Sequence, residues 1–384
     1  MTIINSKLLN EVMKIFREKR PSLKIDQPYY NRIEKSYGGN YVEVWFLTSG
    51  CQWDANGGCT MCNYGKGYQR TEDDIVYSVH QGLSAINIEV NELVVSPSGS
   101  MLDPQEVSPN ALKRIYSLIH DFPAEYFLFE TRSETITEDK IRELAESIPC
   151  KKLGVEIGIE SSNEWVRRFC VNKGNLLNQF INAANILQKH NILTYANISL
   201  GTAFLSPIEA IYDTVDSIRW AFANGADICV LFPLHVKPYT LLAWLYQGLL
   251  YKPPSLWSLI EALRLIGNEL MEKTEISWYR NYYDDESKVI ASPTTCNRCQ
   301  EEVLTLLDNY RNFRSPDIIY KLDKIKCECK DKWRESLKIS PILPLPERVL
   351  GLYKRLSDDF LPDYWWSMYG EVLEYDLMND FITI

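Results

Sequence analysis

Tyr41-Val-Glu-Val-Trp-Phe-Leu47-Thr-Ser-Gly-Cys51-Gln-Trp-Asp-Ala-Asn-Gly-Gly-Cys59-Thr-Met-Cys62 is the stretch on which the architecture turns. Val42, Val44 and Phe46 alternate with larger or polar neighbours, the period of a half-buried strand. That strand runs directly into a loop holding three cysteines in twelve residues. Further along, Glu92–Ser96, Tyr126–Glu130, Lys152–Ile159, Thr194–Leu200 and Asp227–Pro233 read as five more strands. Most are continuous apolar runs, as in strands of a parallel sheet covered on both faces. The intervening segments have helical periodicity: Asp73–Asn87, Asn110–Asp121, Glu138–Ala145, Leu176–His190 and Ile208–Ala223.

Strand–helix repetition with crossovers of this length predicts an α/β protein, a partial (β/α)6 TIM-like barrel of parallel strands. Chemistry in such barrels gathers at the carboxyl ends of the strands, where the cysteine loop sits. We divide the chain into an N-terminal helical extension (1–40), the barrel (41–275), a four-cysteine C-terminal module (276–338) and an aromatic-rich helical tail (339–384). With 384 residues, 46% hydrophobic and 24% charged, the chain has enough apolar material for a large core and is not a disordered polymer. No apolar run approaches the ~18 residues of a membrane helix, and the opening residues lack the pattern of a secretory signal. A cytoplasmic protein is therefore expected.

The net charge of −10 counts against a broad grip on a nucleic-acid backbone, and the sharpest basic cluster, Lys321–Arg334, is interleaved with acids. Ten cysteines in such a chain point to metal or redox chemistry rather than a disulfide scaffold. Histidines number four (His80, His120, His190, His235), too few for His-rich metal sites. Cys150, Cys170 and Cys229 stand alone and read as small buried hydrophobes.

Cys51, Cys59 and Cys62 offer three thiolates with no adjacent fourth ligand. A structural zinc site wants four closed ligands, whereas three leave a reactive position open. Short cysteine spacings of this kind hold iron–sulfur clusters, and three thiolates on a [4Fe–4S] cluster leave one iron free for an exogenous ligand. Gly57 and Gly58 supply permissive backbone beside it. Zinc completed by a distant cysteine is the alternative. Cys296-x2-Cys299 and, about 27 residues on, Cys327-x-Cys329 supply four more thiolates. That set suits structural zinc or an auxiliary cluster.

The other strand ends are polar: Ser96-Pro-Ser98-Gly99-Ser100-Met-Leu-Asp103, Glu130-Thr-Arg132-Ser, Glu156-Ile-Gly-Ile-Glu160-Ser, then Asn197, Ser199 and Gly201. Together they describe a polar cavity above a cluster. In sum these motifs resemble the radical S-adenosylmethionine (SAM) superfamily, specifically its Elongator-catalytic-subunit-like branch and the radical SAM subunit of archaeosine synthase. The resemblance spans Tyr41 to Trp333. It rests on the cysteine loop, the Ser98–Asp103 turn, Glu130-Thr-Arg132-Ser, Ile157–Ser161 with Asn172-Lys-Gly174, Tyr251–Ser258 and the C-terminal cysteines. The first cysteine gap is seven residues where the usual signature has three. After the fifth strand, Gly201-Thr-Ala-Phe204 replaces a Lys-Pro-Pro-Phe-like stretch, and Phe232-Pro-Leu-His-Val236 an Asn-Pro-x-x-Val-like one.

The resemblance implies that Cys51, Cys59 and Cys62 hold a [4Fe–4S] cluster whose free iron chelates SAM. One electron then cleaves the sulfonium C–S bond to methionine and a 5′-deoxyadenosyl radical. By position, Ser98, Gly99 and Ser100 would meet the methionyl amino group, and Arg132 and Glu130 its carboxylate and the ribose; a rim ion pair between the latter two is the alternative for Arg132. Glu160, Asn197 and Ser199 would serve ribose or substrate, and Met61 would lie near the adenine. His235 and Glu160 are the catalytic candidates, with a plain capping role as the other reading of His235. A flavodoxin or ferredoxin would donate the electron. The substrate is expected to be a small amino-acid- or nucleobase-derived molecule. The second reading is a tRNA-modifying enzyme that cleaves a C–N bond in a lysine-bearing deazaguanine, and a third, from another class, is a zinc-binding interaction protein. Tyr364-Trp-Trp366 would either lid the cavity or pack in a homodimer.

Overall fold

The computed structural model describes residues 6–21, 29–67, 69–282 and 288–380. All six expected strands form, within a residue or two of their expected bounds: β2 (Gly39–Phe46), β3 (Glu92–Pro97), β4 (Tyr126–Thr131), β5 (Lys152–Glu160), β6 (Leu193–Leu200) and β7 (Ile228–Pro233). Two more bracket them, β1 (Tyr29–Ser36) and β8 (Thr274–Ile276). The eight lie in chain order in one sheet. β1 runs antiparallel to β2, and every other neighbouring pair is parallel. The sheet curls into an open half-barrel with seven parallel strands where six were expected.

Both additions have local causes. β1 is Tyr-Tyr-Asn-Arg-Ile-Glu-Lys-Ser, too polar for a buried run, yet a tight turn at Tyr37-Gly38 folds it back so that Ser36 pairs with Gly39. The N-terminal extension is thus a helix, α1 (Lys7–Lys19), plus an edge strand, not wholly helical. β8 is only three residues long. Residues 1–5 and 22–28 of that extension, 283–287 of the four-cysteine module and 381–384 of the tail lie outside the described residues.

Crossover helices Glu72–Ser84, Pro109–Asp121, Glu138–Ser147, Leu177–Lys189 and Pro207–Ala223 cover the outer face, burying the main core against the sheet. Ser108 and Ser206 cap two of them by accepting from the backbone N–H three residues on, each ahead of a proline in the first turn. Inside the curl, Val94, Leu128, Tyr195 and Val230 form a small apolar floor. A second core joins α1, the segment around Trp165–Val171 and the tail helices Leu345–Phe360 and Trp365–Asn379. Tyr353 donates its hydroxyl to Phe169 O (2.6 Å) and Trp365 its indole N–H to Glu11 (2.7 Å), so the tail packs on its own chain. Among the described residues no helix is long and apolar enough to cross a membrane.

Candidate active site

The cysteine loop leaves the carboxyl end of β2 and is fastened on three sides. From α1, Arg20 sets both oxygens of Asp54 at 2.8 Å from its Nη1, and Arg17 Nε lies 2.9 Å from the same carboxylate. Arg20 also donates to Cys62 O at 3.1 Å. From the segment after β5, Thr60 donates to Cys170 O (2.7 Å), Asn172 donates to Gly58 O (2.8 Å), and Trp53 donates to Asn172 O (2.9 Å). Arg167–Val171 there is a π-type turn, a form frequent at functional sites. From the turn after β3, Glu106 accepts from Ser100 N (2.8 Å) and Gln52 N (3.3 Å), tying that turn to the loop. Gly58 has φ +86°, and a Cβ there would meet Asp54 Oδ1 at 2.8 Å, so only glycine closes the loop over the aspartate.

Cys51, Cys59 and Cys62 are half-buried. Burial, with Glu106 adding to it, pushes the Cys51 thiol up to about 11, and burial raises Cys59 and Cys62 as well. Three ionised thiols here would need positive charge, which a bound metal cluster supplies. The nearest built-in cation is Arg132, whose Nη1 is 3.8 Å from Cys51 Sγ. Among the described residues the only group of three or more metal-ligating side chains with all ligand atoms within 4.8 Å of one another is Cys296, Cys299, Cys327 and Cys329. Three half-buried thiols at the barrel mouth have the chemistry of cluster ligands.

Arg132 is not paired with Glu130. It bridges to Asp103 (2.7 Å) and Glu134 (2.9 Å) because it emerges one position beyond β4, level with the β3 turn. The Ser100 hydroxyl is spent internally, 2.6 Å from Thr131 Oγ1 and accepting from Arg132 N at 3.1 Å. Of that turn, Ser98 and Gly99 remain half-buried toward the mouth. Glu160 sits at a bulge of β5 with φ +69°, a strained conformation for a non-glycine residue, between Lys173 Nζ (3.0 Å) and the donating Ser199 hydroxyl. Asn197 lies lower in the barrel, donating to Glu156 at 3.3 Å, away from the mouth. Met61 packs at the rim of the second core.

His235 is withdrawn from chemistry. Its Nε2 donates to Trp278 O (2.6 Å) and its Nδ1 accepts from the Ser292 hydroxyl (3.0 Å). Burial lowers its pKa to about 4, and Lys237 adds to that. A buried neutral ring with both nitrogens engaged ties strand end to loop, the capping role.

Asp54, Arg20, Glu106 and Lys173 were missed as site residues in the sequence. Arg20 and Glu106 reach the loop from elsewhere in the chain and Lys173 braces Glu160, so the position of Asp54 inside the loop is the one signal that pointed to them. The C-terminal cysteines converge as expected, with sulfur–sulfur distances of 3.7 Å (Cys296–Cys299), 3.4 Å (Cys296–Cys327) and 3.5 Å (Cys299–Cys329, Cys327–Cys329). A tetrahedral ion with bonds of about 2.3 Å sets sulfurs about 3.8 Å apart, so this group has single-ion dimensions. Trp257 donates its indole N–H to Cys329 Sγ at 3.3 Å.

No known family profile matches the chain. Archaeosine synthase subunit beta of Methanosarcina acetivorans is 31% identical over 303 residues, covering 78% of this chain and 85% of its own length. The chain belongs to the archaeosine synthase subunit beta family. The protein of that name from Thermococcus kodakarensis is 27% identical over 309 residues, 77% of this chain and 91% of its own. Among solved structures, methylornithine synthase (PylB) is 14% identical, covering 86% of this chain and 93% of that one with a TM-score of 0.46. Elp3 of Methanocaldococcus infernus is 14% identical, covering 66% and 60%, with a TM-score of 0.46. The family resemblance drawn from the motifs is thus borne out.

Proposed function

We propose that the chain is a radical SAM enzyme acting as an archaeosine-synthase-type subunit on a deazaguanine carried by tRNA. The observation that carries this reading is the three-thiolate loop at the barrel mouth, in a chain matching 85% of the length of a named subunit beta. Cys51, Cys59 and Cys62 would hold a [4Fe–4S] cluster, which with SAM supplies a radical able to remove hydrogen from an unactivated carbon. Arg132, beside Cys51, offers a guanidinium fork to the methionyl carboxylate once it exchanges Asp103 or Glu134 for it. Ser98 and Gly99 would receive the methionyl amino group on the β3 turn. Glu160, braced by Lys173 and Ser199, would take ribose hydroxyls, and Met61 would flank the adenine. The relatives are named as subunits, which supports a partner subunit here; an electron-donor protein such as flavodoxin or ferredoxin completes the set. The four C-terminal cysteines would hold zinc.

A second reading, a free amino-acid- or nucleobase-derived substrate, is favoured by the net charge of −10 and by the altered segments at 201–204 and 232–236. Anaerobic reconstitution with iron and sulfide, then SAM plus dithionite, tests the common core. The expected result is 5′-deoxyadenosine formation that vanishes in Cys59→Ala. Adding tRNA separates the two readings: stimulation by lysine-bearing deazaguanine tRNA supports the first, and indifference to it supports the second.

A further inference from the structure

Beneath the mouth, the barrel interior holds a small, mostly enclosed space whose lining includes the carboxylates of Glu43, Glu130, Glu156 and Glu275 and the guanidinium of Arg311. The free room is about 20 Å³, enough for about one water-sized group. Two of the carboxylates are spoken for. Glu43 accepts from Arg32, Tyr41 (2.7 Å) and Trp45 (2.8 Å), and Glu275 is paired with Arg314. Arg311 is engaged by Glu34 and lies over the Tyr41 ring. Glu130 and Glu156, side by side in register on β4 and β5, have no cationic partner among the described residues within ion-pair distance.

A separate observation points the same way. Asn197, 8% exposed and opposite Val230 on the barrel-interior face of β6, donates its amide to Glu156 while its Oδ1 has no partner. Asn197 does not line the space itself, but it is bonded to one of the two unpaired carboxylates that do, and acids without a cation there call for a ligand that donates. The aromatic residues Tyr41, Trp45, Phe232 and Trp278 complete the lining, and the Tyr41 and Trp278 rings already carry cations, Arg311 and Arg32. An ammonium group meets each demand: it carries three donors, has positive charge, and is the size of a water molecule.

We propose that Glu130 and Glu156, the latter held by Asn197, form a subsite for a primary ammonium group of the substrate. The proposal rests on the reading of the mouth as the radical-generating site, because it places the recognised amine below it. Glu130 lies two residues before Arg132, so the subsite is about 7 Å deeper than the mouth. A substrate bound there presents carbon atoms part-way along its chain at the level of Arg132 and Glu160. Burial first, and then the neighbouring carboxylates, push Glu130 up to about 7 and raise Glu156, with Lys173 and Lys237 offsetting part of this at Glu130.

The test uses the full chain without cluster or SAM, so that it is independent of radical chemistry. n-Butylammonium is titrated calorimetrically near pH 8, where it remains cationic, against n-butanol as the neutral control. Saturable binding of the amine but not the alcohol is expected, weakened about tenfold or more in both Glu130→Gln and Glu156→Gln, the scale of one charge-assisted hydrogen bond. Equal behaviour of amine and alcohol, binding unchanged by both substitutions, or binding of sodium or magnesium in place of the amine would overturn the subsite. Loss of 5′-deoxyadenosine formation with amine binding intact would instead sink the radical reading alone.

Discussion

Replacing Asp54 by asparagine keeps the volume that Gly58 and Gly65 close over but removes the counter-charge from Arg20, whose side chain is 3% exposed. Breaking a buried pair by deleting one partner costs about 3–5 kcal/mol, because the remaining charge stays out of water. Unfolding entropy of about 2.1 cal/mol/K per residue, over 384 residues, amounts to roughly 0.8 kcal/mol/K. Asp54→Asn should therefore lower Tm by about 5 °C. Arg17→Gln touches the same carboxylate from a side chain 27% exposed, and its cost should be about 1 kcal/mol, close to one degree. Calorimetric melts of the metal-free chain measure both, and iron-to-protein ratios after reconstitution report whether the loop still takes a cluster. Should Asp54→Asn melt within about a degree of the parent and load iron equally well, the view that α1 organises the cysteine loop through this ion pair is mistaken.

Gly50→Ala puts a Cβ 1.9 Å from Gly65 O at φ +97°; it should cost at least about 2 kcal/mol and lower iron loading, read by melts and iron content. Asp213 is 3% exposed, accepts from Ser161 at 2.6 Å, and is pushed up to about 7, chiefly by burial. Its folded pKa exceeds its unfolded one, so the native chain should lose a few kcal/mol as pH climbs from about 4 to about 7 and nothing further above that. Asp213→Asn lacks that titration, so its Tm advantage should widen across the same window; a constant gap in melts at several pH values would contradict the assignment. Chelation at the C-terminal cysteines should release one zinc per chain and lower Tm, and Cys296→Ser should do the same, measured by metal analysis and calorimetry.

Much of this was readable from pattern. The strands β2 to β7 are long enough and apolar enough for local periodicity to find them, and both cysteine groups stand out by spacing alone. β1 was hidden because an edge strand faces water on one side and carries Asn31, Arg32, Glu34 and Lys35. The pairing of Arg132 with Asp103, the inward turn of Ser100 and the double engagement of His235 depend on which groups tertiary packing brings within 3 Å. No spacing rule encodes that. Glu156 stood among the polar strand ends and Glu43 drew no notice, because their meeting depends on the curl that makes β2, β4 and β5 share one interior.

The helices that brace α1 come far after it in the chain. Trp365 reaches Glu11, Tyr353 reaches Phe169, and α1 in turn grips Asp54, so the cofactor cradle is buttressed by residues synthesised some three hundred positions after it. The order of the cysteine loop therefore depends on contacts made from both sides of it in the chain, α1 before it and the tail helices after it.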